Sequence, residues 1–188
     1  MGYRIAIITS SPNKDGLTAS CGNAAKRGVE AAGAEAYLID LNSYRLDRCK
    51  ACDTGYGTCR KEHTCQTKDD FGDLHSRLLA ADAYAVVSPV YWGELSESAK
   101  AFLDRVRRCE ATAREGSRLS GKPCIGVAAA GGSGGGTVTC LFSMQQMFNH
   151  VRSDIFDLIT ITRKSREYKL AAIESAAKAM AEYLGRHA

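Results

Sequence analysis

Four of the eight cysteines lie in one short stretch of the chain, between residues 49 and 65. They are Cys49, Cys52, Cys59 and Cys65. Four thiolates grouped in this way can hold an iron–sulfur cluster or a tetrahedral zinc ion, and they can also remain reduced thiols or form an occasional disulfide. The sequence shows no secretory signal, so metal binding or redox activity is favoured over a disulfide framework.

A second group of candidate residues follows the first apolar, β-branched run, where hydroxyls precede a turn and a helix rich in small residues. These candidates are Ser10, Ser11, Pro12, Leu17 and Thr18. The first backbone N–H groups of a helix have no intrahelical acceptor, and together with the helix dipole they favour a bound phosphate. An ordinary strand-to-helix turn with a Ser or Thr cap is the alternative interpretation.

Two further turns have unusual compositions. One contains Pro89, Val90, Tyr91, Trp92 and Gly93. Its two aromatic side chains are flat enough to cover an aromatic ring. The other contains Ala130, Gly131, Gly132 and Gly134, in a stretch where five of the six residues 131–136 are glycine. Bare backbone there can approach the polar edge of a planar ligand. A phosphate site, an aromatic plane and a hydrogen-bonding rim together indicate a site for flavin mononucleotide (FMN).

Strands and helices that alternate along the chain would bring these three turns together. Apolar strands are predicted around residues 5–8 and at 34–41, 83–89, 123–130 and 154–161, with helical periodicity between most of them. This pattern predicts an α/β fold, a parallel sheet of five strands with helices on both faces, and we expect the doubly wound strand order 2-1-3-4-5. The turns after strands one, three and four then meet at one edge, where ligands bind in such sheets.

Length and composition set the remaining expectations. The 188 residues predict a single domain spanning residues 1–188, with a cysteine-rich insertion at about 42–70. A net charge of +4 without a dense basic run does not indicate nucleic-acid binding. No apolar run is long enough for a signal peptide or a membrane span, so we expect a cytoplasmic protein with no membrane partner.

For the four remaining cysteines and three arginines, the sequence predicts structural positions and no role in chemistry. The scattered cysteines fall within predicted regular elements and are expected to be small buried hydrophobic residues. They are Cys21, Cys109, Cys124 and Cys140. Three arginines lie largely off the apolar stripe of the helix after the third strand, which predicts a solvated or subunit-facing surface. They are Arg105, Arg107 and Arg108.

The motifs around these turns resemble the flavodoxin-fold NADPH-dependent FMN reductase family over most of the chain. The first turn is similar to the family's phosphate loop, although Asn13 stands where an arginine is common. Residues 88–93 resemble the loop that contacts the isoalloxazine ring, residues 98–105 resemble the helix after it, and residues 130–136 resemble the third flavin loop. The resemblance therefore implies a flavodoxin-like fold and bound FMN.

The same resemblance implies an FMN-dependent NAD(P)H oxidoreductase. A nicotinamide donor would pass hydride to FMN, and the electrons would continue to a quinone, a similar small acceptor or a redox partner protein. The flavin carries this chemistry, so no catalytic protein residue is assigned. The choice between NADH and NADPH stays open. A homodimer or homotetramer is expected by analogy with relatives of this fold.

The cysteine segment resembles that of iron–sulfur flavoproteins, which carry a compact C-x2-C-x2-C…C motif for a [4Fe-4S] cluster. The spacing here is Cys49-x2-Cys52-x6-Cys59-x5-Cys65, followed by Asp69 and Asp70, so the middle gap is longer. Two alternatives to the reductase therefore stay open. One is an iron–sulfur flavoprotein that carries electrons to a partner protein, and the other is a non-enzymatic redox or metal sensor on the same fold.

Overall fold

The central sheet is built around β1 (Arg4–Thr9), which pairs in parallel with β2 (Glu35–Asp40) on one side and β3 (Ala83–Tyr91) on the other. The computed structural model describes residues 2–111 and 116–187, so residues 1, 112–115 and 188 of the predicted domain lie outside the described residues. Ile5 and Ile7 of β1 are fully buried. A β-branched run of this kind suits a parallel strand that is covered on both faces.

The sheet continues from β3 to β5 (Pro123–Ala130) and ends at β6 (Asp154–Thr162), while β4 (Glu94–Leu95) pairs antiparallel with the end of β3. The order is β2-β1-β3-β5-β6, with β4 beside β3. The prediction of five strands is therefore wrong in number, because the described residues contain six. A strand of two residues is too short to show an alternating pattern. The five parallel strands keep the predicted relative order.

Helices cover both faces of the sheet. One face carries α1 (Leu17–Ala31) and α6 (Arg166–His187), and the other carries α3 (Phe71–Leu79), α4 (Glu97–Glu110) and α5 (Thr137–His150). The cysteine segment contains a short helix, α2 (Thr58–Lys61), and follows a 3-10 turn at Leu41–Ser43. Within the described ranges, none of the helices is both long and apolar enough to cross a membrane.

Helices α1 and α6 lie against each other at close range. A Cβ atom on Gly28 would lie 2.1 Å from the carbonyl oxygen of Glu174, so only glycine permits this approach. Arg27 forms an ion pair with Glu174 at 2.8 Å, and Arg166 donates a hydrogen bond to the hydroxyl of Ser20 at 3.0 Å. The two contacts are seven residues apart on α1 and eight apart on α6, in the same chain direction, so α1 and α6 run parallel and begin at the same edge of the sheet.

Candidate functional site

The turn after β1 presents an uncapped helix N-terminus. The N-cap of α1 is Gly16, which has no side chain to accept a hydrogen bond from the first turn, and that turn contains no acidic residue. The hydroxyl of Ser11 accepts from the backbone N–H of Asn13 at 3.2 Å, and the amide oxygen of Asn13 accepts from Asp15 at 3.2 Å. The loop is thus ordered by its own side chains, and the N–H groups of α1 are available to an anion.

The turn after β3 is a tight hairpin of two residues, Trp92 and Gly93, between β3 and β4. Their φ angles are 51° and 83°, which matches the type I′ turn that suits the twist of a hairpin. A positive φ is unusual for a bulky residue such as tryptophan. The Trp92 side chain is 102% exposed, so the turn presents an aromatic plane to solvent.

The glycine-rich turn after β5 is packed against this hairpin. A Cβ atom on Gly136 would lie 2.5 Å from the Cα atom of Gly93, and Gly136 also has a φ of 77°. Thr139 at the start of α5 donates a hydrogen bond to the carbonyl of Gly93 at 2.6 Å. The positions where Gly131 and Gly132 would carry a Cβ meet no atom within 4 Å, so their backbone borders open space.

These turns enclose two adjoining cavities that share Val90 and Gly132. The larger has a volume of about 650 Å³ and is lined by Ser11, Asn13, Gly16, Leu17, Thr18, Pro89, Val90, Tyr91, Ala129, Gly131, Gly132, Arg163 and Arg166. The smaller has a volume of about 300 Å³ and is lined by Val90, Trp92, Gly93, Ala130, Gly132, Ser133, Gly134 and Gly135. Most of the residues predicted to contact FMN therefore lie around one continuous opening.

Two predicted residues lie outside that lining. Ser10 is buried, and its hydroxyl donates to the carbonyl of Val87 at 3.4 Å. Its own carbonyl accepts a hydrogen bond from the hydroxyl of Ser96 at 3.0 Å, which ties the first turn to the start of α4. Pro12 is exposed and does not line either cavity. Both residues shape the turn from outside the cavity.

Two arginines that the sequence analysis did not select, Arg163 and Arg166, also line the larger cavity. Arg163 lies in the turn between β6 and α6, and Arg166 is the first residue of α6. In this turn the backbone N–H of Thr162 donates to the hydroxyl of Ser165 at 2.9 Å. A signal was available, because the turn after the last parallel strand must reach the same sheet edge as the other strand-to-helix turns. Arg-Lys-Ser-Arg at residues 163–166 is the basic stretch at that position.

The cavity fits a flavin mononucleotide in size and in the chemistry of its lining. Its volume of about 650 Å³ lies within the range of cofactor sites. Two guanidinium groups and the N-terminus of α1 border it, and among the described residues no acidic one lines it. The bare backbone of Gly131 and Gly132 borders the same space, as a planar ring with polar edges requires.

The clustered cysteines converge on a separate cavity beside α4. Cys49, Cys52, Cys59 and Cys65 all line it, together with Cys109 of α4. The prediction that Cys21, Cys109, Cys124 and Cys140 are buried is confirmed, and burial raises the pKa of each of these thiols to about 12. Cys109 is therefore a buried core residue that also lines the cysteine cavity.

The cysteine cavity does not fit a metal in this arrangement. Among residues 2–111 and 116–187, no group of three or more Cys, His, Asp or Glu side chains is placed to hold a metal ion. The cavity volume of about 20 Å³ has room for about one water molecule. A zinc ion or an iron–sulfur cluster would require the segment to rearrange.

Arg105 attaches the cysteine segment to α4. Its guanidinium donates two hydrogen bonds to the carboxylate of Asp69, at 2.6 and 2.8 Å, and a third to the sulfur of Cys65 at 3.3 Å. The guanidinium also lies 4.1 Å from the centre of the Phe71 ring. Burial would raise the pKa of Asp69, but the hydrogen bonds from Arg105 and from the backbone N–H groups of Asp47 and Phe71 together outweigh it and lower that pKa. The prediction of a solvated or subunit-facing Arg105 is wrong, because the residue is 1% exposed.

The layered sheet and the cavity at its carboxyl edge define a flavodoxin-like α/β protein. Two solved structures share the fold. One is an NAD(P)H:quinone oxidoreductase from Methanothermobacter marburgensis, with a TM-score of 0.72 and 18% identity, covering 96% of this chain and 98% of that one. The other is a WrbA-like flavodoxin from Agrobacterium tumefaciens, with a TM-score of 0.67 and 16% identity, covering 100% of both chains.

Residues 3–161 match the family described as NADPH-dependent FMN reductase, and the chain belongs to that family. It is also similar to curated proteins named iron-sulfur flavoprotein. One from Archaeoglobus fulgidus is 31% identical over 99 residues, covering 53% of this chain and 43% of the relative. One from Methanocaldococcus jannaschii is 28% identical over 125 residues, covering 66% of this chain and 63% of that relative. The chain thus matches about half the length of these relatives.

Proposed function

We propose that the protein is an FMN-dependent oxidoreductase that takes hydride from NADH or NADPH and passes the electrons to a quinone or a similar small acceptor. The observation that carries this proposal is the cavity at the carboxyl edge of the sheet, which joins an uncapped helix N-terminus, bare glycine backbone and an exposed aromatic turn. Membership of the NADPH-dependent FMN reductase family supports the same conclusion.

The residues of the cavity divide into binding groups with different tasks. The backbone N–H groups of α1 at Leu17 and Thr18, together with the hydroxyls of Ser11 and Thr18, hold the phosphate. Gly131, Gly132 and Gly134 approach the rim of the ring, while Tyr91 and Trp92 bound one of its faces. The open space beside the ring leaves room for the donor and the acceptor to reach it in turn.

FMN supplies the redox chemistry when it is bound, by accepting a hydride from the nicotinamide and returning two electrons to the acceptor. The protein holds the ring beside open space and keeps charged carboxylates away from it, since none in the described part of the chain lines either cavity. The overall reaction takes one proton from solvent for each NAD(P)H oxidised when a quinone becomes a quinol. It requires no catalytic acid or base from the chain.

The test is an anaerobic visible spectrum of the purified protein supplied with FMN, iron and sulfide, recorded before and after NADPH is added. We expect flavin absorbance that bleaches when NADPH or NADH is added and returns when a quinone follows. A Ser11→Ala, Thr18→Ala double variant should retain less FMN, whereas Thr137→Ala, at the start of α5, serves as the matched control. A protein that binds no flavin under these conditions contradicts the proposal.

The iron–sulfur flavoprotein is the second candidate function, favoured by the convergence of four cysteines on one cavity and by the names of the curated relatives. It requires the segment around Cys49–Cys65 to open and accept a cluster. The same spectrum distinguishes the two functions, because a cluster adds a broad absorbance that remains after the flavin has bleached. Protein without bound iron and sulfide after reconstitution excludes this second candidate.

A further inference from the structure

We propose that Arg163 and Arg166 form the cationic wall of the phosphate site and bind the 5′-phosphate of FMN from the side opposite the first turn. This inference rests on the proposed function and adds a fourth turn, between β6 and α6, to the three that the sequence indicates. The turn brings to the cavity the only two cationic side chains among the residues that line it.

A hydrogen bond to α1 sets the position of Arg166. Its guanidinium donates to the hydroxyl of Ser20 at 3.0 Å, and that hydroxyl donates to the carbonyl of Gly16 at 3.1 Å. Arg166 is therefore held against the first turn of α1, beside the N–H groups that are available to an anion. One of its terminal nitrogens bonds Ser20, and the remaining N–H groups of the fork can face the cavity.

Helix packing brings the two N-termini to the same place. Because α1 and α6 run parallel and in register, the positive ends of both helix dipoles lie at the carboxyl edge of the sheet. The turn before α6 is ordered by Thr162 and Ser165, whose side chains exchange hydrogen bonds with each other's backbone N–H at 2.9 and 3.4 Å. The arginines thus extend from a rigid turn.

The charge on this wall is available to a ligand. Each ion pair found in the described part of the chain involves residues other than Arg163 and Arg166. Both side chains are exposed, and within residues 2–111 and 116–187 no carboxylate lines the cavity beside them. A phosphate dianion there would gain charge-assisted hydrogen bonds from planar guanidinium groups, which match its geometry.

The experiment measures the affinity of the apoprotein for FMN and for riboflavin, which lacks the phosphate, by quenching of flavin fluorescence. The variants are Arg163→Gln, Arg166→Gln and the double variant. We expect each substitution to weaken FMN binding about tenfold and the pair to weaken it about 100-fold. Riboflavin binding should change less than about twofold, which shows in the same samples that the ring site is folded. The FMN affinity of Arg166→Lys should lie between those of the unaltered protein and Arg166→Gln, because lysine keeps the positive charge but lacks the planar guanidinium that can donate two parallel hydrogen bonds.

Arg186→Gln is the matched control, because it removes the same charge from the far end of the same helix. It should leave both affinities unchanged. The inference is overturned if the double variant binds FMN as the original protein does, if FMN and riboflavin weaken equally, or if the substitutions change only the KM for NADPH. Failure of the unaltered protein to bind either flavin would instead contradict the proposed function.

Discussion

Glu110, at the end of α4, is a fully buried carboxylate between two basic side chains. Its Oε1 lies 2.9 Å from Nε2 of His75 and 2.7 Å from a terminal nitrogen of Arg118. Burial would raise the pKa of Glu110, but His75 and Arg118 outweigh this effect and lower that pKa from 4.5 to about 2. The carboxylate therefore joins α3, α4 and the segment before β5 in its ionised form.

A pH dependence of stability follows from this shift. Because the pKa of Glu110 is lower in the folded protein than in the unfolded chain, its stabilisation is complete above about pH 4.5 and is lost as the pH falls towards about 2. Asp69, whose pKa is lowered beside Arg105, contributes in the same direction. We expect the free energy of unfolding, measured with urea, to decrease across this acidic range.

Substitution of Glu110 isolates its share of that decrease. Glu110→Gln should destabilise the protein by about 2–3 kcal/mol at pH 7, because Arg118 and His75 lose a buried partner, and should flatten the acid dependence. Glu30→Gln, in an exposed pair with Lys26 at 3.6 Å, is the control and should change stability by less than about 1 kcal/mol. An unaltered acid dependence in Glu110→Gln would contradict this account.

At the scale of elements, the contact between α1 and α6 determines where the fourth turn of the site lies. Gly28 is the residue that allows it, because a Cβ there would lie 2.1 Å from a backbone oxygen and 3.0 Å from the backbone nitrogen of Lys178. Backbone atoms cannot move aside as a flexible side chain would. Any larger residue must push α6 away from α1, and Arg166 would then move away from Ser20.

Gly28→Ala should therefore destabilise the protein by about 2–3 kcal/mol and weaken FMN binding in proportion to the displacement of α6. Unfolding in urea and the flavin titration measure the two effects. Gly72→Ala in α3 is the matched control, since a Cβ there meets no atom within 4 Å. It should be neutral or stabilise by about 0.5–1 kcal/mol, because alanine favours a helix. Equal stability of the two variants would contradict the packing argument.

At the scale of the whole molecule, an exposed apolar patch lies beside the cavity. It comprises Trp92, Val138 and Phe142, which are 102%, 73% and 58% exposed. Val138 and Phe142 are one turn apart on α5, whose first turn is bonded to the Trp92 hairpin through Thr139 and Gly93. Apolar patches of this kind are typical of interaction surfaces. The patch supports the proposal that the protein forms a homodimer or homotetramer next to the flavin site.

Sedimentation velocity at micromolar concentration tests this proposal. We expect the unaltered protein to sediment as a dimer or tetramer, and Phe142→Ser combined with Trp92→Ser to shift it towards the monomer by removing buried apolar area. Tyr168→Ser is the control, since Tyr168 is 65% exposed in α6, outside this patch. A monomer in the unaltered protein, or assembly that the double substitution leaves unchanged, would contradict the proposal.

Sequence alone determined the features that depend on neighbouring residues. The alternation of apolar strands with helical periodicity predicted a parallel sheet covered on both faces, and turn composition identified the three turns that line the cavity. These signals are local, because strand burial, helix caps and glycine turns each depend on a few adjacent residues. The two-residue strand β4 escaped prediction because it is shorter than one repeat of the pattern.

Only the tertiary structure determined the features that depend on contacts between residues far apart in the sequence. Arg105 was predicted to face solvent or a partner subunit, yet Asp69, 36 residues away, neutralises its charge inside the fold. Arg166 reaches the first turn through Ser20, 146 residues away, because glycine lets two helices approach closely. The cysteines converge without a metal-binding arrangement among the described residues. Burial and charge pairing depend on which elements pack against each other, and a local sequence pattern does not contain this information.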